Sequence, residues 1–523
     1  MYERLHNEPA ASAMPAHSRS VVPLGISLLF SMLVLTYLTT SNGAVVSLGI
    51  VTLVGVIVVM VLRPDLATLT VVGVLYLNLM AIAVKELHLT EWVAAMSILP
   101  LGLPLVSYLV LRRERIRTSR LLALMGLFLV CLLLSSFFAK DHELAVQRIL
   151  TYVLEGMLLF FLVYNVIRDL RMLKRVMWVL VLGAAFLGSL SLYQAVTGSY
   201  DQRFGGLAQR NLEHELALGG DDLPAELDPE MKLADRARGP IDDPNRYAQN
   251  ELMIFPFALF LLWYEKSWLR RLVAAGCAVL ILAAVVLSYS RGAFAILAVL
   301  VLLLVLLRRE RRLPILAGAV LLLVLVVALA PGYRGRVTTM LGVHGLVSDQ
   351  AGEQPDGAVR GRTTEMLAAV NVFLDHPVFG VGPAQYSPFY SINYHLDPEI
   401  AFRYLPRTRR AHNLYAELAA ETGIVGISVF LSIVGWLLYQ LWQASRRWVF
   451  NRPDLANLAT TFLFSIVAYL GTALFLHLSY ERYYWLLLAL ASAALHIGSE
   501  EYRFMGSLNP AASFSPSRQK QQT

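Results

Sequence analysis

Cysteine is nearly missing from this 523-residue chain, which has only Cys131 and Cys277, both inside apolar runs. The long polar loops contain none, so no disulfide framework braces them, even in an oxidising compartment. Charge is scarce too. Asp, Glu, Lys and Arg together make up 15% of residues, against about 25% in an average soluble domain, which excludes an ordinary soluble fold. The chain also lacks a Walker loop, a His-Glu-x-x-His, a Cys-x-x-Cys and a Gly-x-Ser-x-Gly. No metal site is identified and no cofactor is expected. No pair of matching halves is found, which argues against the repeated architecture of many transporters.

What is present is hydrophobic. Apolar residues reach 57% and mean hydropathy is +0.58, which reads as an all-α, polytopic transmembrane bundle. The net charge of +7 suits anionic headgroups of the lipid bilayer, and no nucleic-acid partner is expected. Apolar runs near 21–40, 44–62, 66–84, 92–111, 120–138, 148–167, 174–197, 246–264, 271–288, 292–307, 313–331, 413–442, 458–478 and 482–498 suggest about 12–14 spans, since crossing the bilayer takes about 20 residues. No small-residue cleavage site follows the first run, so it reads as a retained anchor.

The sequence divides accordingly. Residues 1–20 form a cytoplasmic segment, 21–197 the N-terminal spans, 198–245 a first long loop and 246–331 the central spans. Residues 332–412 form a second long loop, 413–498 the C-terminal spans and 499–523 a disordered cytoplasmic tail. Short loops rich in arginine, such as Arg112 to Arg120 and Arg308 to Arg312, fall on one side and mark the cytoplasm. Both termini are then expected inside, and both long loops outside. Loops this long commonly carry function.

The second loop ends in a basic cluster, Arg403, Arg407, Arg409 and Arg410, followed by His412-Asn413 and an apolar helix. Positive residues are normally retained in the cytoplasm, so arginines outside imply an anionic substrate, of the kind a phosphate-bearing lipid presents. His412 reads as a proton acceptor near neutral pH, with Glu417 and Glu421 either orienting it or belonging to the helix surface. Asn413 reads as a helix cap. Arg238 stands at the mouth of a helix begun by Asp243-Pro244-Asn245. It either snorkels to headgroups or binds phosphate. Arg291, in the tight Ser290-Arg291-Gly292 turn, reads as a substrate residue or as one half of an ion pair with Glu481.

Between these lie an amphipathic stretch from Thr364 to Leu374, expected on the membrane surface or capping the bundle, and a glycine-bearing turn through Gly380 and Gly382. That turn either punctuates the chain or cradles a phosphate. The apolar spans are read as carrying no charged residue buried at mid-depth, a further argument against transport.

With these motifs in view, the chain resembles the O-antigen ligase and O-antigen polymerase superfamily of bacterial envelope glycosyltransferases. The resemblance rests on His412-Asn413, nine residues, then Gly423-x-x-Gly426, together with Arg238-Gly239 to Asn245, Ser290-Arg291-Gly292 and His376-Pro377 to Pro383. It implies a GT-C-like bundle in the bacterial inner membrane. It also implies a metal-independent transfer of a glycan from an undecaprenyl-diphosphate carrier to an acceptor hydroxyl on lipid A-core, another glycan or a protein, as in lipopolysaccharide biosynthesis. Under it, His412 and Arg291 are catalytic, and Arg238, Asn245, Arg409, Arg410 and Asn413 contact the diphosphate or glycan. A ligase is favoured over a polysaccharide polymerase by the histidine pattern. A transporter or flippase for lipid-linked sugars is the alternative from another class.

Overall fold

The computed structural model describes residues 55–86, 88, 98–209, 236–307, 313, 315–320, 357–402, 405, 408–477 and 481–508. The expected span at 21–40, the 321–331 part of the one at 313–331, Arg403 and Arg407, and the tail beyond 508 lie outside the described residues. Among the described residues there is no strand. The helices used below are α1 (Gly55–Leu62), α2 (Pro64–Tyr76), α3 (Leu79–Glu86), α4 (Leu99–Leu111), α5 (Arg120–Ser136), α6 (His142–Val166), α7 (Leu170–Thr197) and α8 (Pro244–Tyr264). They continue with α9 (Trp268–Leu287), α10 (Arg291–Leu307), α11 (Gly357–Asp375), α12 (Ser391–His395), α13 (Leu414–Trp448), α14 (Pro453–Thr472) and α15 (Glu481–Leu508). Of these, α6, α7, α9, α13 and α14 are each long and apolar enough to cross a bilayer. The chain is an all-α, multi-pass membrane protein.

It divides into two compact units. The first comprises 1–71 and 98–117, the second 72–97 and 118–523. In the first, α1 and α2 meet at 112°, because Pro64 disfavours helical geometry in the residue before it. There the apolar α4 ends in a π-helical turn, Ser107–Leu111.

In the second unit α8 is an interior helix, packed on α9 and α14. Its burial explains why it carries so many polar groups. Gln249 donates to the Tyr469 carbonyl at 3.0 Å, and Ser465 donates to the Met253 carbonyl. Glu251 is 0% exposed, and the Tyr76 hydroxyl donates to its Oε1 at 3.5 Å. The expectation that no charge is buried within a span is therefore overturned. An acid can sit at depth because α8 faces other helices and finds donors there instead of lipid. Arg482 at the start of α15 follows the same rule, donating to Asn78 Oδ1 at 2.7 Å and standing 3.9 Å from Glu155.

The glycine-bearing motifs turn out to be two halves of one joint. The α13 helix breaks at Gly423, whose φ of 64° and ψ of −169° are open essentially to glycine alone. The turn at 377–382 inserts into the break. Val381 and Gly382 donate their N–H groups to the carbonyls of Ala420 and Glu421, both at 3.0 Å. Ile424 and Val425 donate in turn to the carbonyls of Pro377 and Val378. Helix bonds lost at the break are replaced across it, as buried backbone groups require. The turn is thus neither mere punctuation nor, on this geometry, a phosphate cradle.

The α11 helix packs on α13 with a face of Thr364, Glu365, Ala368, Ala369 and Val372, all buried. Its larger apolar residues, Met366, Leu367, Val370, Phe373 and Leu374, are half-buried or exposed. This is the arrangement of a helix that caps a bundle. Small residues let the backbones approach, while the bulky stripe looks outward.

Candidate functional site

The site is built around the start of α13. Asn413 accepts from the N–H groups of Tyr415 and Ala416 at 3.0 and 2.9 Å, capping the helix as its sequence position foretold. Its side-chain amide donates to the Leu474 carbonyl at 3.0 Å. On the other side, Glu417 accepts from Nε and Nη2 of the Arg410 guanidinium on one oxygen and from the N–H of Ala411 on the other, the latter at 2.9 Å. His412 lies between these two clamps with φ of 46°, a left-handed conformation that a non-glycine residue keeps only when its surroundings impose it.

The imidazole meets a partner from α11. His412 Nδ1 lies 2.7 Å from Glu365 Oε2 and 3.2 Å from the Arg410 carbonyl. Both neighbours are acceptors, so Nδ1 is the nitrogen that carries the proton, and Nε2 is left to accept one. Glu365 is 2% exposed. Burial pushes its carboxyl up, but His412, Arg409 and Arg362 together hold it below the usual carboxylate range. Arg409 Nη1 stands 3.6 Å from its Oε1.

A second histidine completes the cluster. The His477 ring lies 5.5 Å from that of His412, edge to face. Arg246, 6% exposed, donates to the His477 carbonyl at 3.1 Å and, from Nη2, to its Nε2 at 2.6 Å. Burial, then the charges of Arg246 and Arg410, push His477 well below its ordinary value, so it stays neutral. Asp243 caps α8 by accepting from Asn245 and Arg246 and pairs with Arg246 Nε at 3.4 Å. Although burial opposes it, Arg246 and the two capping N–H groups hold Asp243 below the usual range.

The remaining expected residues gather on the adjoining turn. Arg236 donates to the Ser288 carbonyl at 2.8 Å and to Asn245 Oδ1 at 3.2 Å. The Ala237 N–H donates to the Leu287 carbonyl at 2.9 Å. The segment carrying buried Arg238 is thereby laced to the turn that begins α10 at Arg291. Gly292 lies directly under the Phe475 ring, 2.7 Å from where a Cβ would stand. The loop 473–477 therefore joins the two groups, touching Gly292 through Phe475, Asn413 through Leu474 and His412 through His477.

Glu365, Arg246 and His477 did not stand out in the sequence. Glu365 could have been read from the spacing of Gly361, Thr364, Glu365, Ala368 and Val372, a small-residue stripe with one acid in it. For His477 only its place at the end of an apolar run offered a hint. Two expected contacts carry structural duties. Arg410 is engaged by Glu417, and Asn413 by the helix terminus. The side chain of Glu481, the proposed partner for Arg291, lies outside the described residues.

Similarity to known proteins supports, in general, a ligase- or polymerase-like membrane glycosyltransferase. Residues 276–431 match the family model described as O-antigen ligase, which supports the O-antigen ligase superfamily. The matched segment contains Arg291, Glu365 and the whole run from His412 to Gly426. No curated protein matches the chain.

Proposed function

We propose that the chain transfers a glycan from an undecaprenyl-diphosphate carrier to an acceptor hydroxyl at the outer face of the bacterial inner membrane, as an O-antigen ligase does. The observation that carries this reading is the contact of 2.7 Å between His412 Nδ1 and Glu365 Oε2, set among arginines. It leaves Nε2 as a base for the acceptor hydroxyl. The hydroxyl oxygen bonds to the anomeric carbon, its proton passes to His412, and the bond to the carrier diphosphate breaks.

Charge builds up on the leaving diphosphate. Guanidinium groups bind such oxygens through charge-assisted, often bidentate hydrogen bonds, and each preorganised donor contributes about 3 kcal/mol in the transition state. Arg291, Arg238 and Arg409 are assigned to it, with Asn245 holding Arg236 against the Arg291 turn. Arg410 fixes the backbone that presents His412. Both chain termini lie in the cytoplasm under this orientation.

The test is the glycan left on the carrier in cells lacking the gene. Long chains accumulating on undecaprenyl diphosphate with a bare acceptor support the ligase. Single repeat units on both carrier and acceptor point to a polymerase using the same residues. An unchanged carrier pool overturns both.

A further inference from the structure

At the end of the bundle remote from His412 lies a polar cavity of about 470 Å³. It opens where the C-terminal parts of α13 and α15 meet the N-terminus of α5. Between Gly423 and Gln443 the α13 helix rises about 30 Å, so this cavity is separate from the Glu365–His412 site.

Its wall is rich in donors. Arg120, Arg447 and Arg503 reach it from three different helices, with Gln440 and Gln443 beside them, the Gln443 amide donating to the Tyr439 hydroxyl. Among the described lining residues the acid is Glu500, and it stands 3.2 Å from His496 Nε2. The Ser492 hydroxyl, 6% exposed, lies in the same wall with no hydrogen-bond partner among the described residues. A buried hydroxyl left unpaired is costly, and a ligand oxygen in the cavity would satisfy it. Three guanidinium groups with an unpaired hydroxyl suit a phosphate, whose oxygens match the guanidinium fork.

The level of the cavity indicates what carries that phosphate. On the same end of α13, Tyr439 and Trp442 are 56% and 43% exposed, and the Arg446 guanidinium lies over the Trp442 ring at 5.6 Å. Trp436 and Trp448 line the cavity itself. Tyr and Trp with nearby arginines mark the headgroup level of a bilayer. We propose that this cavity binds the phosphate of an anionic membrane lipid, in the leaflet opposite the His412 site.

The full chain, released from nanodiscs of mixed phosphatidylglycerol and phosphatidylcholine, is weighed by native mass spectrometry with its bound lipid. The wild type is expected to retain phosphatidylglycerol preferentially. In the Arg120→Gln, Arg447→Gln, Arg503→Gln triple variant that retention falls about tenfold or more, since each basic residue near a lipid surface contributes roughly 1 kcal/mol. Should the triple variant unfold, Ser492→Leu, which fills the cavity without altering charge, is expected to lower retention likewise. Inorganic phosphate is the second probe. Its binding to the detergent-purified chain, without any lipid preference, would assign the cavity to a free anion and overturn the lipid reading. Equal lipid retention in wild type and both variants would overturn the site altogether.

Discussion

Glu365 Oε2 lies 2.7 Å from His412 Nδ1, joining a helix of the long loop to the start of a transmembrane helix. If the pair works as a base and its orienting carboxylate, His412→Ala lowers kcat by about 10²–10⁴-fold. Glu365→Gln keeps the shape and loses the charge, and lowers kcat by about 10–100-fold. Transfer from a lipid-linked glycan to acceptor, measured on purified protein, reads both. Full activity in Glu365→Gln would remove the orienting role, and full activity in His412→Ala would remove the base.

Arg291 begins α10 beside the Asn245–Arg236–Ser288 contacts. Arg291→Ala should abolish glycan transfer, a loss of about 10²-fold or more for one diphosphate donor, while expression and membrane insertion stay intact. Arg291→Lys should restore only part of it, because a point charge lacks the bidentate fork. Wild-type turnover in Arg291→Ala contradicts the assignment.

The joint between the 377–382 turn and α13 predicts a sharp contrast among glycines. In Gly423→Ala the new Cβ would stand 2.2 Å from the Val378 carbonyl oxygen, at a φ of +64°. A loss of about 2–4 kcal/mol is expected from strain and clash together. Gly435, farther along the same helix, has nothing within 4 Å of its would-be Cβ. Gly435→Ala should leave stability unchanged or raise it by up to about 1 kcal/mol. Thermal unfolding in detergent compares them, and equal melting temperatures would refute the joint.

Buried histidines set an acid limit. Burial first, and then the nearby charge of Arg409, lower His395 from its ordinary value to about 4, while Glu365 opposes them. His477 is lowered as well. The unfolded chain takes up these protons before the native one does. Their contribution is thus complete above the ordinary histidine value and is lost as pH falls below it, for His395 toward about 4. The slope reaches about 1.4 kcal/mol per pH unit for each group. Melting temperature should drop between pH 7.5 and pH 5, two pH values about 2.5 units apart, and the drop should be smaller in His395→Leu. An identical drop in the variant would place the sensitivity elsewhere.

Several features were legible in the chain. The Asn413 and Asp243 caps follow from one residue's chemistry beside a helix start, and both formed as read. Among the described residues the apolar runs at 148–167, 174–197, 271–288, 413–442 and 458–478 became helices long and apolar enough to cross a bilayer, since crossing hydrocarbon demands length and hydropathy. Other features were legible only in part, for a physical reason. The sequence shows that α11 is amphipathic but not that its small-residue face is the buried one, since close helix approach rewards small side chains over large ones. Glu251 escaped notice because an interior helix can bury an acid whose donors come from distant helices.

By itself, the sequence determined the class: an all-helical membrane protein with basic, histidine-bearing loop segments and glycines at set spacings. Those properties depend on composition and on neighbours within one or two helical turns. Only the tertiary structure decided that Glu365 faces His412, that Arg246 grips His477, and that the turn at Gly380 repairs the break at Gly423. Each of these joins residues far apart in the chain, and their meeting depends on how helices pack, which no local period encodes.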